Sequence, residues 1–492
     1  MTEFPEAAYY IIASRLRPGL DGGYTVAAMR RALDFERHGG VRPTILTVEF
    51  WPDYELARQE FIELGLATPH TVMRNLYEDL RANPSMLRER FAGRPSTAPV
   101  TSKLNETTTL DAAGMPWKIS VTNGGGATQY TDFLDAEGRK LLRLPFISGR
   151  PDWHRADVQI EVFGEDGRVL GSLDGFAALY RFWVDRVLAE KPDVPSIVIS
   201  EAKQVGELLA LGHRNYSLVH AVHNAHTRPP FDWDSEMDEL WSGWFDTTGS
   251  MDAVLWLTEA QRADAVRRFG EHDNWIVVPH SMEPIEAPAD PARRQLNRVV
   301  MIARLVEQKR VEDAIDAWPA LLERVPEATL DVYGDGPLRA QLRARIEELG
   351  VGQSITLHGH VAGADAELDT AAALLLTSRH EGQPLVILEA LAHGCPVVAY
   401  DVHYGPADMI ENGVTGALVP AGDRGALVDA LAPIISDRER NTALSTAALE
   451  WSRAHGPRAS MDILETLFSD LVSEGSDINT LGEEPKGASR TT

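Results

Sequence analysis

The sequence predicts an α/β protein of two doubly wound, Rossmann-like domains facing a cleft, the first interrupted by a β-rich insertion. Three observations point there. A chain of 492 residues is too long for a single core. Strand-like and helix-like stretches alternate from Tyr9 and again from Arg298, the rhythm of parallel strands joined by crossover helices. Between the two runs lies a stretch patterned like hairpins.

In order, Tyr9 to Ser14 (YYIIAS) is a short apolar run of β-leaning composition. RLRPGLDGG reads as a loop, and a helix is expected from about Tyr24 to His38, closed by Gly39-Gly40. VRPTILTVEF is the next strand. From about Thr68 the pattern changes, with a polar helix expected at roughly 69–93. Two hairpins follow, TQYTDFLDAEGRKLLRL and VQIEVFGEDGRVLGSL, each turning on acidic residues and a glycine followed by arginine. The α/β rhythm resumes with VPSIVIS. The first domain is therefore placed at 1–67 and 177–290, around an insertion at 68–176. ADPARRQ, at 289–295, is the expected link. In the second domain, 296–472, the strands are RVVMIAR, ATLDVYG, SITLHGH, ALLLTS and PVVAYD. Its helices include VEDAIDAWPALLERV and LRAQLRARIEELG, and the polar tail 475–492 is expected to be disordered.

A net charge of −26 argues against a general nucleic-acid or anionic-membrane binder, so an anionic partner must meet a local basic site. Cys395 is the only cysteine, which excludes an intrachain disulfide and a zinc site of several cysteines. The acidic start MTEFPEAAYY does not read as a signal peptide, and no run approaches the roughly 18 apolar residues of a membrane span. The expectation is a cytoplasmic protein, with a peripheral position at the inner membrane face left open.

Chemistry concentrates in SRHEGQPLVILEALAHG, residues 378–394. Pro384 suits the first turn of a helix and Gly394 the position after its end, so a helix is expected over about 384–393. Glu381 then precedes the helix start and Glu389 lies inside it. The amides of Leu385 and Val386 form a positive end suited to phosphate. Two carboxylates along one helix entrance are poorly placed to flank a glycosidic bond as an acid–base pair. They suit vicinal hydroxyls on either side of a phosphate; the competing reading is two solvated glutamates. ARLVEQKR adds Arg304 and Lys309 directly after a strand, and Lys309 is the only lysine between Lys203 and Lys486. That pairing reads as a diphosphate clamp or as a solvated basic loop.

Taken together, Arg304-Leu305-x3-Lys309, YGDGPL at 333–338, and Glu381-x7-Glu389 running into GCPVVAYDVHYGPADMIENGVTG resemble glycosyltransferase family 4 over about 296–430. The resemblance implies the GT-B fold and transfer with retention at the anomeric carbon. It implies that Arg304 and Lys309 neutralise the donor diphosphate, and that Glu381 contacts the transferred sugar with Gly382 to Leu385 lending backbone amides. Glu389 would hold the ribose hydroxyls. Gly22, Gly23, Gly334, Gly336, His360, Gln383 and Pro384 complete the expected donor set. In LVHAVHNAH, His223 is the match for a histidine facing the donor sugar, with His226 second; the residues alone also allow a structural histidine. His220 and His223 differ by an odd number, so one zinc is not expected to bind all three histidines.

The insertion and YGP at 404–406 resemble the poly(glycerol-phosphate) α-glucosyltransferase group, which includes wall-teichoic-acid and serine-rich-adhesin enzymes. That resemblance implies an insertion serving acceptor binding or oligomerisation. The function expected is transfer of glucose or N-acetylglucosamine from a UDP-sugar to a hydroxyl on a cell-wall polymer precursor or protein. No metal or cofactor is expected: Asp232-Trp233-Asp234 has metal-motif spacing but no partner motif. Neither G-x-G-x-x-G after a strand nor a G-K-[ST] phosphate loop is found, which weakens a dehydrogenase or NTPase reading. The rival reading is a non-catalytic partner subunit that keeps the fold.

Overall fold

A computed structural model describes residues 3–19, 23–93, 96–97, 105–145, 153–241 and 243–480. Two parallel sheets and one antiparallel sheet organise them. The first parallel sheet has seven strands, in the order Trp275–Val277, Ala253–Trp256, Ser217–Ala221, Ser196–Ser200, Ala8–Ala13, Thr44–Thr47 and Val72–Asn75. Its central strands, AYYIIA and SIVIS, are buried at every position, as expected of strands covered by helices on both faces. The second has six strands, ordered Ile355–Gly359, Thr329–Tyr333, Gln295–Ile302, Ala371–Leu376, Val397–Asp401 and Gly416–Pro420.

In each parallel sheet the strand order reverses once. In the first, the reversal lies between Ala8–Ala13 and Ser196–Ser200; in the second, between Gln295–Ile302 and Ala371–Leu376. The carboxyl ends of such neighbours diverge and leave a crevice, where ligands of doubly wound sheets bind. The loops that follow Gln295–Ile302 and Ala371–Leu376, at the second crevice, carry Arg304, Lys309 and Glu381, all singled out from the sequence.

The antiparallel sheet runs Asn105–Leu110, Pro116–Thr122, Thr128–Leu134, Lys140–Pro145, Gln159–Phe163 and Val169–Asp174 in simple up-and-down order. Both expected hairpins are present, and a third, Asn105–Thr122, precedes them. Trp117, Phe133, Leu142 and Val162 join one apolar cluster with Leu76, Leu179 and Trp183, so the insertion shares a core with the first domain.

Four expectations need correction. The stretch 69–93 is not one helix: Val72–Asn75 is the edge strand of the first sheet, followed by helix Leu76–Ala82. Asn75 decides the switch. Its side-chain oxygen accepts from the amides of Tyr77 and Glu78, capping the helix, while its amide nitrogen donates to Thr47 on the neighbouring strand. That strand also moves the start of the insertion beyond residue 68. The unit 296–472 does not hold the last helix, Pro457–Thr480, whose Met461, Leu464, Phe468 and Leu471 pack with Phe4, Tyr9 and Phe35 of the first domain. The same helix carries backbone to Thr480, past the expected start of the tail; residues 481–492 lie outside the described residues.

At the link, Arg294 is 1% exposed and has no carboxylate partner among the described residues. Its guanidinium instead donates to Ser445 Oγ and to the carbonyls of Leu368, Ala371 and His393. This anchors the point where the chain enters the second domain.

Candidate active site

The second domain supplies its charges from the two loops at its switch point. After the strand Gln295–Ile302, Glu307–Lys309 forms a single 3-10 turn, and Arg310 in the left-handed region (φ 46°) starts helix Val311–Arg324. This loop is tied to the one after Ala371–Leu376. Thr377 Oγ1 donates to the carbonyls of Lys309 and Arg310, and the Arg379 amide donates to the Gln308 carbonyl. The ties bring Lys309 Nζ to 2.5 Å from Glu381 Oε1, with the side chains 17% and 8% exposed. Arg304 is exposed, and its side chain makes no hydrogen bond or ion pair among the described residues.

Glu381 is held by its backbone, donating to the His403 carbonyl at 2.8 Å and accepting from the Tyr404 amide at 2.9 Å. Helix Leu385–Ala392 then begins, one residue inside each expected boundary, and Leu385 is buried. Gly405 (φ 103°) sits so close to the preceding turn that a Cβ there would lie 2.8 Å from Pro384 and 2.9 Å from Gln383 Cα. Gln383 Oε1 accepts from the His280 amide at 2.6 Å, a first contact between the halves.

Gly382 makes a second. A Cβ on Gly382 would lie 2.0 Å from the His223 carbonyl oxygen, so only glycine lets the two backbones meet there. Glu389 also reaches across, with its Oε1 accepting from Arg30 Nη2 at 2.9 Å.

On the first domain His223 lies just beyond the strand Ser217–Ala221, so the alternation of faces expected within a strand does not extend to it. Its Nε2 is 2.6 Å from Glu201 Oε2, and Arg31 Nε donates to the other carboxylate oxygen of Glu201, also at 2.6 Å. Glu201 is fully shielded. Burial alone would raise its pKa, but the Arg31 charge and the His223 hydrogen bond outweigh that and hold the carboxyl well below the usual range. The His223 ring stacks on His280 (5.4 Å, 19°) and meets Tyr24 edge-on at 5.5 Å.

The other two histidines of the run do not converge on this point. His220 packs against Trp244 with its pKa lowered by burial to about 3, and His226 lies among Phe245, Trp256 and Phe269, lowered by burial to about 4. His226, the second match, is therefore a core residue. Gly23 is 4.0 Å, measured from an ideal Cβ, from Leu385 Cδ1 across the cleft; Gly22 lies outside the described residues. His360 is exposed, with Nε2 3.7 Å from where a Gly19 side chain would begin. Gly334 and Gly336 lie against the neighbouring loop. A Cβ would come within 1.9 Å of the Ala303 carbonyl at the first and 2.4 Å of the Leu305 carbonyl at the second. They let the YGDG turn press against the Arg304 loop. In the acidic loop beyond His226, Asp232 comes only to 3.9 Å from His403. Among the described residues no group of three or more His, Cys, Asp or Glu is placed to share a metal ion.

Sequence reasoning missed Arg30, Arg31, Glu201 and His280. For Glu201 a signal existed: a carboxylate directly after the apolar run VPSIVIS, at the carboxyl end of a central strand. For the two arginines none did, because their partners are 359 and 170 positions away.

Comparison with known proteins adds three findings. Residues 285–451 match the family model described as "Glycosyl transferases group 1". The chain is 25% identical over 312 residues to the poly(glycerol-phosphate) alpha-glucosyltransferase of Bacillus subtilis, covering 62% of this chain and 43% of the relative. It is 28% identical over 291 residues to the GtfA subunit of the UDP-N-acetylglucosamine–peptide N-acetylglucosaminyltransferase of Streptococcus gordonii, covering 53% and 56%. The chain thus spans about half the length of these curated relatives. Its shape matches TarM from S. aureus, solved as a mutant with fondaparinux, alpha-GlcNAc-glycerol and UDP. The TM-score is 0.72 at 17% identity, covering 95% of this chain and all of that one. The likeness shows the fold, which is GT-B.

Proposed function

We propose that this chain, whose residues 285–451 are a group 1 glycosyl transferase domain, is a retaining hexosyltransferase. It moves glucose or N-acetylglucosamine from a UDP-sugar to a hydroxyl on a cell-wall polymer precursor or protein. The observation that carries the reading is the Lys309–Glu381 contact at 2.5 Å, beside an exposed Arg304 and the start of helix Leu385–Ala392. A cation, a carboxylate and a helix N-terminus in one crevice suit a group that joins phosphate to a polyol. The names of the relatives support the sugar and acceptor classes, since one is called a glucosyltransferase of poly(glycerol-phosphate) and another an N-acetylglucosaminyltransferase of peptide.

In this reading the bond between the anomeric carbon and the diphosphate oxygen breaks, and a bond from the acceptor oxygen forms on the same face. The acceptor proton passes to the leaving phosphate. Arg304 and Lys309 meet the charge that develops on the diphosphate, and fixed cations of this kind stabilise a transition state without reorganising. Glu381 and the 382–385 turn orient the sugar, and His223 faces it with its ring set by Glu201. No step needs a metal. The insertion is assigned to acceptor binding or self-association.

The test is a panel of nucleotide sugars with the purified chain, read first as thermal stabilisation and then as release of the nucleoside diphosphate. Stabilisation and turnover with a UDP-hexose are expected. Stabilisation without turnover, with or without acceptor, would instead point to a non-catalytic partner subunit.

A further inference from the structure

We infer that Arg30, on the opening helix of the first domain, completes the nucleotide site from across the cleft by orienting Glu389. The inference rests on the reading of Glu389 as the acceptor of the ribose hydroxyls. Arg30 Nη2 donates to Glu389 Oε1 at 2.9 Å, and the two side chains are only 21% and 15% exposed, so this is no loose surface pair. A carboxylate has two oxygens that can each accept. With Oε1 engaged, the carboxylate plane is set and Oε2 remains for a pair of vicinal hydroxyls.

The second observation is a donor left over. Arg30 Nη1 is buried and makes no hydrogen bond among the described residues. A buried guanidinium N–H without an acceptor is costly, which leaves Nη1 open to an acceptor that a ligand brings. Here the orphan lies beside a carboxylate read as ribose-binding. Arg30 also lines a small crevice with Ala27, Arg31, Asp34, His280 and Leu385. These residues come from both halves of the molecule. Nucleotide recognition is then not a property of the second domain alone. The donor meets its full set of partners only when the first domain is in place, which links donor binding to closure.

The experiment uses the full chain and the UDP-sugar it turns over, with the 2′-deoxy and 3′-deoxy forms of that donor. The kcat and donor KM are measured for the parent, Arg30→Lys, Arg30→Met and Glu389→Gln. Arg30→Met is expected to raise donor KM about tenfold with kcat within about twofold, the pattern of lost ground-state binding. Arg30→Lys should recover part of the loss. The penalty for removing a ribose hydroxyl should shrink in Arg30→Met and Glu389→Gln alike, a readout that a merely structural role would leave alone. If Arg30→Met does not fold, Arg30→Gln carries the same expectation. Should Glu389→Gln shrink the penalty while neither Arg30 variant does, the inference about Arg30 is overturned and the ribose reading stands. Should Glu389→Gln leave both KM and penalty unchanged, the ribose reading fails and takes the inference with it.

Discussion

The two faces of the cleft carry their charges in opposite ways. On the second domain Arg304 is exposed, and Lys309 and Glu381 sit on short loops tied to each other by hydrogen bonds from the Thr377 hydroxyl and the Arg379 amide. On the first domain Glu201 is fully shielded and holds both Arg31 and His223. A free or lightly covered cation can meet an incoming anion at little cost, whereas a buried ion network is expensive to disturb. One face is built to receive charge and the other to hold a ring still. That division can be broken at either face.

The largest effect is expected on the receiving face. Lys309→Ala should lower turnover by about 10²–10³-fold, the scale of losing one group that stabilises developing charge. The fold should persist, because among the described residues the Lys309 side chain pairs only with Glu381, and that partner keeps its backbone ties. Single-turnover rates and the melting temperature check both halves of the statement. Activity within about threefold of the parent would remove the clamp from the mechanism.

Next comes the junction between the faces. Gly382→Ala places a methyl group where the His223 carbonyl now stands, 2.0 Å away, so the cleft cannot close to its present distance. The expected loss in kcat is about 100-fold, the cost of a misplacement near 1 Å. UDP affinity should fall by no more than the roughly tenfold expected for losing Arg30, whose reach to Glu389 also crosses the cleft, so kcat falls further than binding does. Calorimetry with UDP beside the rate measurement separates the two. A large loss of UDP affinity with normal kcat would mean the glycine serves the donor pocket rather than closure.

This contrast also explains which residues could be read from the chain. Arg304 and Lys309 share one loop, and Glu381 and Glu389 one loop-and-helix unit, so their chemistry is local and shows as spacing. Arg30 and Glu389, or Arg31 and Glu201, meet only because two sheets place distant segments together. Such pairs leave no spacing to read. The fold followed the same rule. Long apolar runs such as AAALLL announced themselves. The four-residue strand Val72–Asn75 did not, because charged neighbours made it look like the start of a helix. Glycines 334 and 336 were legible as special positions but not as to why. The resemblance places them in the donor set, and the structure shows packing against the Arg304 loop.

A smaller effect separates the faces by pH. His226 is fully buried with no hydrogen bond at either ring nitrogen among the described residues, and burial lowers its pKa to about 4. Unfolded, it titrates near 6.5. Below that pH the unfolded chain takes up a proton that the native state refuses, so its contribution to stability is intact above about 6.5 and is lost as pH falls toward 4. At pH 5 the loss is about 2 kcal/mol. His226→Phe should therefore flatten the decline in stability between pH 7 and 5 by about that amount. His393, in the second domain, has the opposite sign. Burial works against its charge, but the carboxylates of Asp365 and Asp369 outweigh it and raise its pKa. Its stabilisation is present below its unfolded pKa and is lost as pH rises through the folded one, so His393→Gln should steepen the decline that His226→Phe flattens. Urea titrations at the two pH values measure both. Equal slopes for the two variants would erase the distinction between the halves.

The smallest expected effect is none. If the receiving face meets the diphosphate with Arg304, Lys309 and the start of helix Leu385–Ala392, these are fixed parts of the chain that a chelator cannot remove. Turnover in excess EDTA should equal turnover without it, at saturating donor. The comparison of interest is with Lys309→Ala under the same conditions. A variant short of one cation has an unmet charge on its leaving group, and added magnesium could then restore part of the rate while leaving the parent unmoved. Loss of parental activity in EDTA, recovered by magnesium or manganese, would show that the second domain does not carry enough charge of its own.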